Sequence, residues 1–212
     1  MNIINKSSFK NEDEEDEKKE ENKKEDDLLV KKLLKTRTIL LNGEINKDLS
    51  QRIINNMLIL EADDKDAPIK VFIDSPGGDL HAGYAIYDML RFISCPIYTI
   101  GMGLIASAGA LILLAPELDK RYALPNSMYL IHQPLIGGVL RGVEADIEIQ
   151  AKEIEKAREH LNILISKKTN QELEKVITDT ERDYWMDSKE AKDYNLVSSI
   201  VESREELNNL IK

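Results

Sequence analysis

Between residues 38 and 195 the apolar residues keep switching between two spacings, and that alternation restricts the chain to a narrow group of folds. Short runs rich in β-branched residues read as strands at Thr38–Leu41, Lys70–Asp74, Ile97–Ile100 and Ser127–His132. Helical spacing governs the segments between them. In Lys47–Glu61 the residues Leu49, Ile53, Ile54, Met57, Leu58 and Leu60 recur every few positions on one helical face. Ser75-Pro76-Gly77-Gly78-Asp79 ends one strand and opens a helix that reaches Ile93. Gly101–Ala106 reads as a loop before a helix that begins at Ser107. Glu144–Lys168 is a long helical segment, with shorter helices at Gln171–Ile177 and Asp187–Asn195 and a short amphipathic one at Leu28–Leu34. Strands alternating with helices predict an α/β fold with a largely parallel core.

The chain has 212 residues. That is one domain plus extensions, enough to bury roughly 70% of the unfolded surface. The first 27 residues stand apart: residues 11–27 hold eleven acids against four lysines and hardly an apolar side chain. Such a segment cannot offset its ordering entropy, so residues 1–27 are expected to be a disordered acidic and lysine-rich tail. The globular part is then 28–212. The formal charge of −10 disfavours nucleic acid as a partner. One cysteine, Cys95, excludes an internal disulfide and fits a reducing compartment. No apolar run reaches the ~18 residues of a membrane span. No secretory or mitochondrial leader is expected either, and the reading is cytoplasmic.

Three strings carry chemistry: Gly101-Met-Gly-Leu-Ile-Ala-Ser107-Ala-Gly109, Leu130-Ile-His132-Gln-Pro134 and Asp179-Thr-Glu-Arg-Asp183. They offer a serine, a histidine and an aspartate. A serine hydroxyl needs a base to take its proton and a carboxylate to orient that base. The chain has three histidines, so few can be the base. Small neighbours around Ser107 would let a substrate carbonyl approach, and free N–H groups at a helix start would stabilise an oxyanion. Gly77-Gly78, between a strand and a helix, can turn a second amide toward the same oxygen. Each string alone has a plainer reading. A serine that opens a helix is ordinarily its cap, Pro-Gly-Gly a turn, and a histidine among apolar residues a packed core group. Together they supply the separate parts that acyl transfer needs.

These strings also resemble a known family. Ile73-Asp-Ser-Pro-Gly-Gly-Asp79, Gly83-Tyr-Ala-Ile-Tyr-Asp88, Met102-Gly-Leu-Ile-Ala-Ser-Ala-Gly-Ala110, Lys120-Arg-Tyr-Ala-Leu-Pro-Asn-Ser127, Ile131-His-Gln-Pro134, Ala145-Asp-Ile-Glu-Ile149 and Asp179-Thr-Glu-Arg-Asp183 lie in one order over more than a hundred residues. In this set the chain resembles the proteolytic subunits of the ATP-dependent Clp proteases, over about residues 28–201. The resemblance implies Ser107 as nucleophile, His132 as base and Asp183 as orienting carboxylate. It implies the backbone N–H groups of Gly78 and Ala108 as oxyanion donors, and Arg182 as a contact between subunits of two rings. It implies a crotonase-like α/β fold of repeated ββα units with a protruding handle helix, here about 144–168. It further implies a homo-oligomer of two stacked heptameric rings that degrades unfolded proteins delivered by an AAA+ ATPase. No metal or cofactor is implied, since the partner ATPase uses the ATP. By the same resemblance the substrate residue before the cut is expected to be mildly apolar or bulky.

Several positions depart from the family pattern. Ala108 stands where many relatives carry methionine, which a backbone donor tolerates. The acidic tail replaces an apolar loop. The Gln133–Gly142 arm is about two residues longer. Asp74 stands where asparagine is frequent; a carboxylate pointing at the oxyanion site would be unfavourable, while one turned away and hydrogen-bonded would not. Two other functions fit parts of the pattern: a non-catalytic or partner-dependent subunit of a mixed ring, and an acyl-CoA enzyme on the same fold. The first would lack triad residues and the second would need acidic acid–base groups. The tail generates a first prediction: a chain lacking residues 1–27 keeps its fold and its cleavage of small peptides. Circular dichroism and a fluorogenic peptide assay check it, and loss of assembly would make the tail structural.

Overall fold

A computed structural model describes residues 28–135 and 142–211. The tail expected at 1–27, and residues 136–141 of the expected arm, lie outside the described residues. The chain divides into two compact units, the first ending at Thr38 and the second starting at Ile39. In the first, residues 28–35 are helical (α1). The Thr36 hydroxyl donates to Leu33 O at 2.8 Å and closes its end.

The second unit carries all the chemistry. Its elements are β1 (Thr38–Asn42, which begins one residue earlier), α2 (Lys47–Asp63), β2 (Ile69–Ser75), α3 (Leu80–Phe92), β3 (Ile97–Ala106) and α4 (Ala108–Leu113). A 3₁₀ turn, β4 (Arg121–Ala123) and β5 (Met128–Ile131) follow. Then come α5 (Glu144–Thr169), α6 (Leu173–Thr180), β6 (Tyr184–Asp187), α7 (Ser188–Asp193), β7 (Ser199–Ile200) and α8 (Arg204–Leu210). The α/β expectation holds. The strands form one sheet in the order β1-β2-β3-β4-β7, with β5 on β3 and β6 on β5. Pairing is parallel for β2–β3, β3–β4, β3–β5 and β4–β7, and antiparallel for β5–β6.

Local chemistry starts and stops these elements. Asn46 caps α2 by accepting from Leu49 N, and the helix then buries Leu49, Ile53, Met57 and Leu60 along one face. Asp79 caps α3 in the same way through Ala82 N at 2.7 Å. Asp187 and Glu190 form a reciprocal capping box at the start of α7. Gly83 of α3 faces Ala108, and a Cβ placed there would lie 3.1 Å from the Ala108 Cβ. The two helices therefore pack backbone to backbone beneath the site.

The segment read as a loop, Gly101–Ala106, is the second half of β3. The sequence conceals it because the strand changes neighbours midway. Thr99–Gly101 pair with Arg121–Ala123 of β4, whereas Leu104–Ala106 pair with Met128–Leu130 of β5. The register with β2 slips between Ile73 and Ser75 at the same level. Gly103 takes φ +63°, and a Cβ there would sit 2.7 Å from Asp74 Oδ1. That oxygen accepts the Leu104 N–H at 3.0 Å. So Asp74 is the turned-away, hydrogen-bonded carboxylate: it holds the irregularity that lets β3 run on to Ala106. Strands β4, β6 and β7 and helix α8 were not anticipated. Their one to three apolar positions are too few to show a period.

The long helix α5 runs from Glu144 to Thr169 and buries only Leu161, Asn162, Ile165 and Thr169. Its first part leaves even Ile147 (41%) and Ile149 (60%) exposed. A helix lying along its own domain would bury a stripe over its whole length, so this one projects, as a handle does. The buried Arg121 of β4 donates through Nη2 to Lys168 O at 2.8 Å and fastens the last turn of α5 to the sheet. Burial lowers its pKa to about 10, which leaves it charged at neutral pH.

The Asp74 arrangement predicts that Asp74→Asn, which keeps an acceptor oxygen, barely moves the urea midpoint. Asp74→Ala strands the Leu104 N–H and costs roughly 1–3 kcal/mol. Equal midpoints for the two variants would remove Asp74 from this role.

Candidate active site

Ser107 sits at the junction of β3 and α4 with φ 54° and ψ −119°. Positive φ is uncommon for a side chain other than glycine and costs of order 1–3 kcal/mol. Neighbours on both sides hold it. Its N–H donates to Leu130 O of β5 at 2.9 Å, and its carbonyl accepts from Leu111 N at 3.1 Å. Gly77 lies directly against it: a Cβ on Gly77 would come within 2.6 Å of Ser107 Cβ and 2.9 Å of Ala106 O. The Ser107 side chain makes no capping bond to the helix it precedes. The cap reading of this serine therefore fails, and its hydroxyl remains half-buried at a sharp turn.

The Gly77-Gly78 turn is anchored from the opposite side. Ser75 Oγ donates to Gly43 O at 2.7 Å and accepts the Gly77 N–H at 3.1 Å. Gly78 forms a parallel bridge with Ile45. The bridge is carried by Ile45 N–H to Gly77 O at 2.8 Å and Asp79 N–H to Ile45 O at 2.7 Å. The Gly78 N–H takes no part in it. Gly78 has φ +146°, and a Cβ would stand 2.2 Å from Ile45 O. Only glycine fits this position. On the serine's other side Ala108, the first residue of α4, presents an N–H of the kind no helix satisfies internally.

His132 and Asp183 arrive by strand register. Ala106 is level with Leu130 in the parallel β3–β5 pair, which puts Ser107 and His132 at the same end of adjacent strands. Ile131 is level with Tyr184 in the antiparallel β5–β6 pair, so His132 and Asp183 are the next residues of that ladder. The topology thus gathers all three at one end of the β3-β5-β6 strands. It does not join them by hydrogen bonds. His132 is half-buried, and its Nδ1 lies 2.6 Å from Gln133 O. A carbonyl only accepts, so Nδ1 carries the proton and a neutral ring keeps its lone pair on Nε2. Asp183 and Arg182 are exposed.

A second group of residues fixes the turn before Asp183, and the sequence reading passed over them. Gln133 N donates to Thr180 O and its Nε2 to Glu181 O, both at 2.7 Å. The Thr180 hydroxyl, fully buried, shares its one proton between Asn162 Oδ1 of α5 and Val176 O, both at 2.8 Å. Asp179 accepts from Tyr194 Oη at 2.8 Å and pairs with Lys175. Burial, and then the Asp179 carboxylate, push the Tyr194 phenol up so that it stays protonated. Gln133, Asp179 and Thr180 fall inside the same strings that supplied His132 and Asp183. That placement was the available signal.

Comparison with known proteins gives the family. The family model described as Clp protease matches residues 19–204. The chain is 54% identical over 177 residues to the ATP-dependent Clp protease proteolytic subunit 2 of Treponema pallidum, covering 84% of this chain and 88% of that protein. It is 48% identical to subunit 2 of Borreliella burgdorferi, over 85% of this chain and 90% of that one. Among solved structures, a ClpP1 point mutant from Listeria monocytogenes superposes with a TM-score of 0.77 at 44% identity. That match covers 84% of this chain and all but 1% of the other.

The Gly78 contact generates a prediction. Gly78→Ala keeps the far-UV circular dichroism but slows phosphonylation of Ser107 by a fluorophosphonate probe about 100-fold or more, the scale of losing one oxyanion donor. Undiminished labelling would remove the Gly78 amide from the site.

Proposed function

The chain belongs to the Clp protease family and is a proteolytic subunit of that kind, and on this premise we propose that it is a serine endopeptidase acting through Ser107, His132 and Asp183. The observation that carries the proposal is the strained Ser107 turn, packed against Gly77 and followed at once by Ala108, the first residue of α4. In the reaction, Ser107 Oγ attacks the carbonyl carbon of the peptide bond while His132 Nε2 takes its proton. The carbonyl oxygen becomes an oxyanion between the Gly78 and Ala108 N–H groups. The tetrahedral intermediate collapses, the C–N bond breaks, and His132 returns the proton to the departing amine. Water then attacks the acyl-enzyme with His132 again as base, releasing the acid and restoring Ser107. Asp183 orients the protonated Nδ1 and stabilises the imidazolium. These residues fill every role in the hydrolysis, so the subunit is proposed to use no metal or cofactor of its own.

The same premise supports an assembly of two stacked heptameric rings in the cytoplasm, with Arg182 between rings. An AAA+ Clp ATPase feeds it unfolded protein. Among the described residues no helix is long and apolar enough to cross a membrane. The bond from His132 Nδ1 to Gln133 O favours one refinement, a triad that aligns only on assembly with like or related subunits. Helix α5, whose exposed first part is free to meet a partner, supports it.

Ser107→Ala is expected to abolish both probe labelling and peptide cleavage while leaving particle size unchanged by gel filtration. In the parent protein, labelling is expected at Ser107, located by mass spectrometry, in a particle of several hundred kilodaltons. Cleavage above trace level in the alanine variant would overturn the assignment.

A further inference from the structure

Helix α6 ends at Thr180 and β6 begins at Tyr184, so Asp183 is the last residue of the short turn between them. Its side chain makes no hydrogen bond or ion pair among the described residues. The direction of that carboxylate therefore depends on how firmly the two ends of the turn are held. Thr180 and Gln133 hold the first end. At the second, the backbone of Tyr184 is level with Ile131 of β5. Strand β6 is short and pairs on one side only, with β5, so the ladder alone holds this end weakly.

A cation lies where the two ends meet. Lys175 of α6 places its ammonium 4.5 Å from the centroid of the Tyr194 ring and 5.6 Å from that of Tyr184. The two rings stand 5.8 Å apart between centroids, with 46° between their planes. One helical turn further along α6, Asp179 pairs with the same ammonium and accepts the Tyr194 hydroxyl at 2.8 Å, both through Oδ2. An exposed ion pair four residues apart on a helix is ordinarily worth little. This one differs, because the Asp179 side chain is only 14% exposed and a carboxylate there without its cation would be costly. A cation over an aromatic face adds an attraction that an aliphatic chain lacks. Tyr194 is itself fixed: it is buried at the end of α7, and its carbonyl accepts from Gln171 Nε2 at 3.3 Å. Lys175 and Asp179 belong to the helix before the turn and Tyr184 to the strand after it, and Tyr194 touches both.

We infer that Lys175 is a positioning residue of the peptidase: its ammonium, held among the Tyr184 ring, the Tyr194 ring and the Asp179 carboxylate, locks together the two ends of the turn that carries Asp183. The inference rests on the reading of Asp183 as the carboxylate that orients His132. Lys175 acts through Asp183 and needs no contact with substrate. It narrows the directions open to an exposed side chain that has no partner of its own to fix it. Two aromatic faces and a carboxylate all ask for a positive charge at this point. Arginine, which stacks on aromatic rings and pairs with carboxylates, can supply it, and methionine cannot.

Two measurements on the full assembled chain test it, with particle size checked by gel filtration for each variant. The first compares kcat and KM for a fluorogenic peptide in the parent, Lys175→Met and Lys175→Arg. Lys175→Met should lower kcat about tenfold, part of the ~100-fold that a 1 Å misplacement costs, with KM little changed, and Lys175→Arg should restore most of it. Tyr194→Phe, which keeps the ring and removes only the bond to Asp179, is measured beside them and should lose kcat in the same direction. The second measurement is the rate at which a fluorophosphonate labels Ser107 in Lys175→Met, Asp183→Asn and the double variant. Because Lys175 acts through Asp183, the lysine substitution should slow the parent and add nothing to Asp183→Asn. Parent-like kcat and labelling in Lys175→Met while Asp183→Asn is slow would overturn the clamp and leave the triad standing. Failure of arginine to restore kcat, or an equal slowing with and without Asp183, would also overturn it. Parent-like labelling and cleavage in Asp183→Asn would instead sink the triad reading on which the inference rests.

Discussion

The backbone of Ser107 is held in a conformation that an isolated chain would leave at once. It persists because its surroundings fix the turn from two sides. The Leu130 carbonyl takes its N–H from the β5 side, and Gly77 presses against its Cβ from the β2 side. Each of these neighbours depends on something further back. Leu130 is level with β3 only because Asp74 and Gly103 let that strand leave β4 and continue to Ala106. Gly77 is in place because Ser75 Oγ ties the turn to Gly43 and because Ile45 runs beside Gly78. The hydroxyl is thus presented by the sheet's irregularity. A regular β3 would have no reason to end where it does.

The histidine and aspartate are supported differently. Their support is a set of hydrogen bonds that binds β5, α6 and the root of α5 to one another through Gln133, Thr180 and Asn162. Buried side-chain networks of this kind are rigid when every member is satisfied. Here Gln133 and Thr180 each bond across to a neighbouring element, so the residue after the base and the turn leading to Asp183 are held in one frame. The serine with its flanking amides is held in another. The two frames share the β3–β5 ladder.

Much of this could be read from the residues before any coordinates. Helices α2 and α3 lie within a residue or two of where the apolar spacing of Lys47–Glu61 and the Ser75–Asp79 turn put them. Ser107, His132 and Asp183 stood out because each occupies a string with a distinct chemical use. What could not be read was long-range. That β3 exchanges β4 for β5 is a property of pairing, and no local pattern in Gly101–Ala106 announces it. The fate of the Asp74 carboxylate was open until its acceptor role toward Leu104 was visible. The importance of Thr180 and Asn162 was hidden too, since a threonine and an asparagine 18 residues apart carry no signature until the fold makes them touch.

The projection of α5 has a mechanical consequence. A helix rises about 1.5 Å per residue, so the stretch from Glu144 to His160, without a buried residue, is an arm about 25 Å long. Its pivot is the last part of the helix, where Leu161, Asn162 and Ile165 enter the core. Asn162, which holds Thr180, is therefore at the short end of a lever. A force at the far tip is multiplied at the pivot, while a displacement there is correspondingly reduced. An ångström-scale movement of the tip becomes a change of tenths of an ångström beneath the turn that leads to the aspartate. That is the range over which a 2.8 Å hydrogen bond keeps its geometry. The arm is thus geared to convert coarse contact at its end into fine adjustment at its root.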